Sequence, residues 1–270
     1  MSHYGFGFGI GQVKKAGAVS YDADAQAFFT AAGITDTTQK SAVNQLVLDL
    51  KSYNIWTKMK AVYPMVGGTS TTHKYNLVNP VDSNAAYRLS FSTGWTHSST
   101  GALPNGAAYA DTFLIPSTNL SSSNNHQSIY LRTNTDGAFV DIGSYQVSGL
   151  TYYFLMYVRS GNVMTIANGN SIFPNTAMTD SRGFSLMSKL SSSNASAFKN
   201  NAKVINNQSV GTGVSGVKVY LGASNNNGIA GLYSNRQIAF VSMGDGLTDT
   251  EAANFNTAVT TFQTTLARNV

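Results

Sequence analysis

The chain has 270 residues, 42% of them hydrophobic and 11% aromatic, which is enough to bury a sizeable core. Only 11% are charged, under half of the roughly 25% usual for globular chains, and Ser, Thr, Asn and Gly fill the surface instead. There is no cysteine, which excludes disulfides, thiolate metal sites and cysteine nucleophiles.

The net charge of +5 comes from scattered Lys and Arg, with Lys14-Lys15 and the Lys58/Lys60 pair the only close neighbours. That pattern reads as a solvated surface and gives no phosphate track, so no nucleic-acid partner is expected. The N-terminus lacks an apolar stretch of signal-peptide length, and no window is long and apolar enough for membrane insertion. Work outside a cell would then mean synthesis in the host cytoplasm and release by lysis or on a particle.

In residues 1–20 glycine alternates with Tyr4, Phe6, Phe8 and Ile10. Glycine leaves the backbone free while the aromatic groups require burial, so this piece reads as an assembly arm docked on a neighbouring subunit, or as a terminus folded back on its own domain. Residues 21–66 follow as a helical hairpin and connector. Asp22 or Asp24 can cap a helix that ends at Gly33; Asp36 with Gln39 opens a second, whose apolar face is Val43, Leu46, Val47, Leu50 and Tyr53. Residues 58–64 look like a strand or extended connector.

From residue 67 to 270 the text is β-rich, with strands expected at 75–78, 86–91, 108–114, 128–133, 138–142, 151–159, 163–167, 183–189, 196–199, 203–206, 217–222 and 237–243. Breakers such as Asp136-Gly137 and Gly161-Asn162 separate them. Many short strands with polar turns predict a sandwich of antiparallel sheets, and no fixed repeat suggests a propeller or solenoid. The strand at 237–243 is apolar on both faces. A capping box, Thr248 with Glu251, then opens a terminal helix with one apolar stripe, Ala252, Phe255, Val259, Phe262 and Leu266.

Glycoside hydrolysis usually requires two carboxylates held about 5–10 Å apart. The only glutamate, Glu251, is explained by its cap, and Asp36, Asp82, Asp136, Asp180, Asp245 and Asp249 fall at turns and caps. Asp111 and Asp141 lie near strands without an acidic neighbour in sequence. His3, His73, His97 and His126 share no ligand spacing and sit among polar, loop-like residues, so they read as solvated or turn histidines; no metal or cofactor is expected. Segment 91–106 offers the best recognition surface: Trp95 could stack on a sugar while His97 and Asn105 supply hydrogen bonds. The plainer alternative is that Trp95 caps the core.

The run AFFTAAGITDTTQKSAVNQLVLDLKSYNIWTKMKAVYPMVGG, followed by His-Ser-Ser-Thr-Gly-Ala-Leu-Pro-Asn-Gly at 97–106, resembles structural proteins of tailed bacteriophages and related prophages. The segment IAFVSMGDGLTDTEAANFNTAVTTFQTTLAR looks like the end of a concanavalin-like (laminin-G-like) jelly roll from the same setting. The resemblance implies a non-enzymatic virion component on the tail or head surface, present in many copies beside other virion proteins and attached through the arm, with a bacterial surface glycan as a further partner. It carries over no catalytic residue, and the scarcity of glutamate departs from the acid cluster of glucanases with this fold. The alternatives are a free-standing lectin-like domain and, behind it, a polysaccharide hydrolase with an aspartate site.

Overall fold

The computed structural model describes Met1, residues 20–172 and residues 176–270; the arm residues Tyr4, Phe6, Phe8 and Ile10 lie outside the described residues. The fold is the antiparallel sandwich that the sequence predicts, with the helical hairpin and the terminal helix on one side of it. The first sheet runs Ala202–Gln208, Asn194–Lys199, Gly183–Ser191, Asn125–Leu131, Ile238–Gly244, Gly101–Pro104, Trp95–Ser98, and Met59–Tyr63 also pairs with Ile238–Gly244. The second runs Ser171–Ile172, Val163–Gly169, Leu150–Ser160, Ile142–Ser148, Tyr220–Leu221, Ala110–Asp111, Ser90–Phe91, with three short strands attached. One of these, Ser224–Asn226, lies parallel to Ile142–Ser148.

Alternation decides which side chains enter which layer. Ile129, Leu131, Met187, Ala197, Val241 and Met243 of the first sheet meet Ile142, Phe154, Met156, Val158, Ile166 and Leu221 of the second in the sandwich core. The other face of the first sheet presents Tyr130, Phe184, Leu186, Phe198 and Phe240, and these pack under the helices in a second core.

The helices are set by the caps read from sequence. Asp22 accepts from the Asp24 N–H, and Gly33 takes the left-handed conformation (φ 68°) that a side chain would resist. Asp36 accepts from the Gln39 N–H to open Thr37–Ser52, and Thr248 and Glu251 close a reciprocal capping box on Asp249–Thr265. The terminal helix lays Phe255 at 5.2 Å from Phe184 and 5.9 Å from Phe240. Beyond its end, the buried Arg268 guanidinium donates to the carbonyls of Pro64 (2.7 Å), Met65 (2.8 Å) and Ala239 (2.9 Å) and lies over Phe262. It thereby ties the terminal helix to both the connector and the central strand.

Several sequence expectations change. Residues 75–78 form no strand, because the buried Asn76 side chain does a strand's work: its Oδ1 accepts from Val62 N–H and its Nδ2 donates to the carbonyls of Lys60 and Ala86. The strand expected at 86–91 shrinks to Ser90–Phe91, since Asn84–Ala86 is a 3-10 turn and Tyr87 is left-handed. That at 108–114 shrinks to Ala110–Asp111, with Phe113 left-handed. The cations are not all surface groups: Lys189, Lys199, Arg236 and Arg268 are buried. Arg236 pairs with the equally buried Asp141 at 2.6 Å, a contact between residues 95 apart in sequence that local spacing could not reveal.

Two histidines read as solvated are instead interior. His126 is fully buried between sheet and terminal helix. Its Nδ1 donates to the Asp245 carbonyl at 2.6 Å, so Nε2 is the acceptor for Ser242 Oγ at 3.0 Å. Burial holds its pKa down at about 4. The unfolded chain therefore takes up a proton first, and the stabilisation that the neutral ring supplies is complete above pH 6.5 and lost as pH falls from there towards 4. For His126 this amounts to a loss on the order of 3 kcal/mol, and buried His73, at about 3, acts in the same direction. Urea unfolding measured between pH 7 and 4 should show this decline, and His126→Gln should flatten part of it.

Candidate functional site

Trp95 and His97 stand two apart on Trp95–Ser98 and so share a face. Their rings are stacked at 6.3 Å, and Phe91 meets both edge-on, at 5.3 Å from Trp95 and 4.6 Å from His97. Together with Ser70, Thr93 and Gly94 they line a depression of about 350 Å³. Asn105 flanks its rim, where a Cβ on Gly94 would come within 2.7 Å of the Asn105 side chain. Its Oδ1 already accepts from the Ala107 N–H at 3.0 Å. The structure therefore brings the three residues of segment 91–106 into one neighbourhood.

Trp95 is also structural. Its indole N–H donates to the Tyr109 carbonyl at 3.1 Å, its ring covers Gly222, and it packs against the sandwich core. Behind His97 lies a partner that the sequence did not suggest: His73, on the single turn Ser70–His73, places its Nδ1 2.9 Å from the His97 Nδ1. Burial pulls His73 down to about 3, helped by His97 and Arg268, and burial also lowers His97. Both rings are neutral at physiological pH.

A second surface lies on the outside of the second sheet, the sheet face that carries no helix among the described elements. Leu155 and Ala167 are buried there beneath half-buried Tyr145, Tyr153 and Tyr157, with the Tyr145 and Tyr153 rings 6.0 Å apart. Leu221 points into the sandwich core, which turns its neighbour Tyr220 to this outer face. The Tyr109 ring stacks on Tyr220 at 4.4 Å. Tyr109 thus touches both surfaces, its ring on the tyrosine face and its carbonyl on Trp95. Burial pushes the Tyr220 phenol up to about 12, and burial followed by Tyr145 and Tyr153 raises Tyr157. Both hydroxyls stay protonated; that of buried Tyr220 is hydrogen-bonded to Tyr109, and that of half-buried Tyr157 can donate.

Beside Tyr220, a hollow of about 300 Å³ is lined by Ile115, Val217, Lys218, Asn225 and Asn227. Lys218 reaches Asp111 at 3.0 Å and lies 4.6 Å over the Phe113 ring, so its charge is largely neutralised. Tyr153 and Tyr157 fall in the strand expected at 151–159, but only the register opposes Tyr145 to Tyr153 and brings in Tyr220 from residues distant in sequence.

The acids are otherwise engaged. Asp141 is closed inside with Arg236 and Ser234, where burial raises its carboxyl against the opposing pull of the guanidinium. Glu251 caps its helix and reaches Lys58 at 2.6 Å. No group of three or more metal-binding side chains occurs among the described residues.

No family model and no curated protein matches the sequence. Among solved structures the chain is similar to Trypanosoma rangeli sialidase in complex with sialic acid, with a TM-score of 0.52, 8% identity, and 81% of this chain covered. The match spans 39% of that sialidase's length. It is also similar to domain 4 of a GH43 extracellular arabinanase from Geobacillus stearothermophilus in complex with arabinotriose, with a TM-score of 0.49, 10% identity, and 74% of this chain and 98% of that one covered. At 8% identity the sialidase likeness speaks to the fold alone.

The anchored Trp95 gives a direct check on its structural share. Trp95→Ala should lower the unfolding free energy by about 2–3 kcal/mol, read from urea denaturation, whereas Trp95→Phe should recover part of the loss.

Proposed function

We propose that this chain is a non-enzymatic attachment protein of a bacteriophage particle that binds glycan through the tyrosine-lined outer face of its second sheet. The observation that carries the binding reading is the clustering of Tyr109, Tyr145, Tyr153, Tyr157 and Tyr220 on or beside that face. Tyrosine suits carbohydrate because the ring packs on the C–H face of a pyranose while the hydroxyl meets its polar rim. A chain with only one charged residue in nine is rich in amide and hydroxyl groups of the kind sugar hydroxyls pair with. The sandwich also occurs in a sialidase solved with sialic acid, which is consistent with this choice of ligand class.

The particle setting rests on the resemblance of the hairpin, the 97–106 segment and the terminal helix to tailed-phage structural proteins, with other virion proteins as neighbours. The absence of catalysis is proposed because the described carboxylates, Asp245 aside, are held by cations, backbone N–H groups or side-chain amides. A lectin acting alone is the second reading, favoured if the protein binds sugar and has no particle.

Two experiments separate these statements. On a glycan array the protein should show saturable binding that Tyr153→Ala weakens roughly tenfold, the equivalent of about 1.4 kcal/mol. Binding to no glycan, or binding indifferent to Tyr153→Ala and Tyr145→Ala, overturns the tyrosine face as the site. In infected cells, deletion of residues 1–20 should abolish incorporation into particles and leave the sandwich folded by circular dichroism; normal incorporation removes the arm from the proposal.

A further inference from the structure

The His73–His97 contact fixes more than a packing arrangement. Two neutral imidazoles can approach Nδ1 to Nδ1 at 2.9 Å only if one nitrogen carries the hydrogen and the other offers its lone pair. Two arrangements satisfy this, and the surroundings of His73 choose between them. His73 is 1% exposed and its Nε2 is buried without a hydrogen-bond partner. If His97 donated, the His73 hydrogen would sit on that Nε2 as an orphaned buried N–H, which folded proteins rarely leave. The Arg268 guanidinium acts on the ring as well, opposing a positive charge on His73. His73 therefore keeps its hydrogen on Nδ1 and donates it.

The consequence falls on His97. With its Nδ1 accepting, its own hydrogen is confined to Nε2. No protein partner takes that N–H among the described residues, and the half-exposed ring lines the depression with Phe91 and Trp95. We propose that His73 is a positioning residue that locks His97 as an Nε2–H donor, making the Trp95–His97 depression a subsite for ligand groups that present an acceptor oxygen against an aromatic wall. Hydroxyl, carbonyl and carboxylate oxygens of sugars meet that description, and an ammonium or other donor-only group does not. The ligand half of this statement rests on the glycan-binding proposal; the tautomer half stands on geometry alone.

The lock also requires both rings to be neutral. A proton on His97 would set N–H against N–H unless His73 moved its hydrogen to the buried Nε2. Arg268 is the charged group that acts on His73, and the neighbouring Lys74 is turned to Asp82 at 2.6 Å.

Long-range nitrogen–proton correlation spectra of the ¹⁵N-labelled full chain at neutral pH test the tautomers without any ligand. His97 should show a protonated Nε2 and a bare Nδ1 with fully separated nitrogen shifts, and His73 the opposite. His73→Phe should collapse the His97 shifts towards the average of two tautomers, and His73→Gln, whose amide can donate in the same place, should restore them. A wild-type His97 with its hydrogen on Nδ1, or shifts indifferent to His73→Phe, overturns the lock. Titration with N-acetylglucosamine and with glucuronate then tests the ligand half and separates carbonyl from carboxylate acceptors. A move of the His97 Nε2 signal with either sugar, absent in His73→Phe, supports it. A His97 signal unmoved by both sugars at millimolar concentration overturns the subsite even where glycan binds elsewhere on the protein.

Discussion

The strand Ile238–Gly244 is buried on both faces, and this double burial is the constraint on which the architecture depends. Val241 and Met243 point into the space between the sheets, while Ala239 and Phe240 point out to the helices. A strand apolar on both sides needs two layers to cover it. The second sheet supplies one and the helical hairpin with the terminal helix supplies the other. Arg268 then draws the helix end, the connector and this strand together through three backbone carbonyls. The guanidinium serves as a hydrogen-bond hub whose planar fork matches several acceptors at once.

Covering one sheet with helices leaves the outer face of the other without a helix among the described residues, and that face must be compatible with water without losing its strand character. Tyrosine meets both demands, since it is a strong strand former with a large ring and a polar tip. Leu155 and Ala167 disappear beneath the rings, and the hydroxyls remain available. A face of this kind is unlike a packing interface built from aliphatic side chains, and it is the physical basis for preferring a sugar ligand.

Much of the fold was legible in the sequence because its signals are local. Caps at Asp22, Asp36 and Thr248 and the stop at Gly33 lie within a few residues of what they control. The long strands expected at 151–159, 163–167, 183–189 and 237–243 announce themselves by composition, whereas the one expected at 217–222 shrinks to Tyr220–Leu221. What was not legible depends on distant partners. Asn76 imitates a strand through its side chain, Tyr87 and Phe113 break strands by taking the left-handed conformation, and Asp141 meets Arg236 across 95 residues. At the candidate site, Trp95, His97 and Asn105 were visible as polar and aromatic groups within one short segment. His73 was not, because its neighbours in sequence are polar and only the fold buries it against His97. The tyrosine face was half visible, as the aromatic run at 152–157, but its breadth follows from register.

The two surfaces share a chemical character that the low charge of the chain makes coherent. Burial keeps the phenols of Tyr157 and Tyr220 protonated, and it keeps His73 and His97 neutral. The one cation beside the tyrosine hollow, Lys218, is paired with Asp111. Such surfaces offer rings and directed donors with little net field, so long-range steering contributes little to capture and recognition rests on short-range fit. Contacts of this kind are individually weak, and binding at the outside of a particle would draw its strength from repetition: many copies engaging a repeating polymer at once raise avidity far above the single-site affinity. A neutral, tyrosine-rich sheet face is thus better suited to a multi-copy attachment protein than to one that must hold its ligand alone.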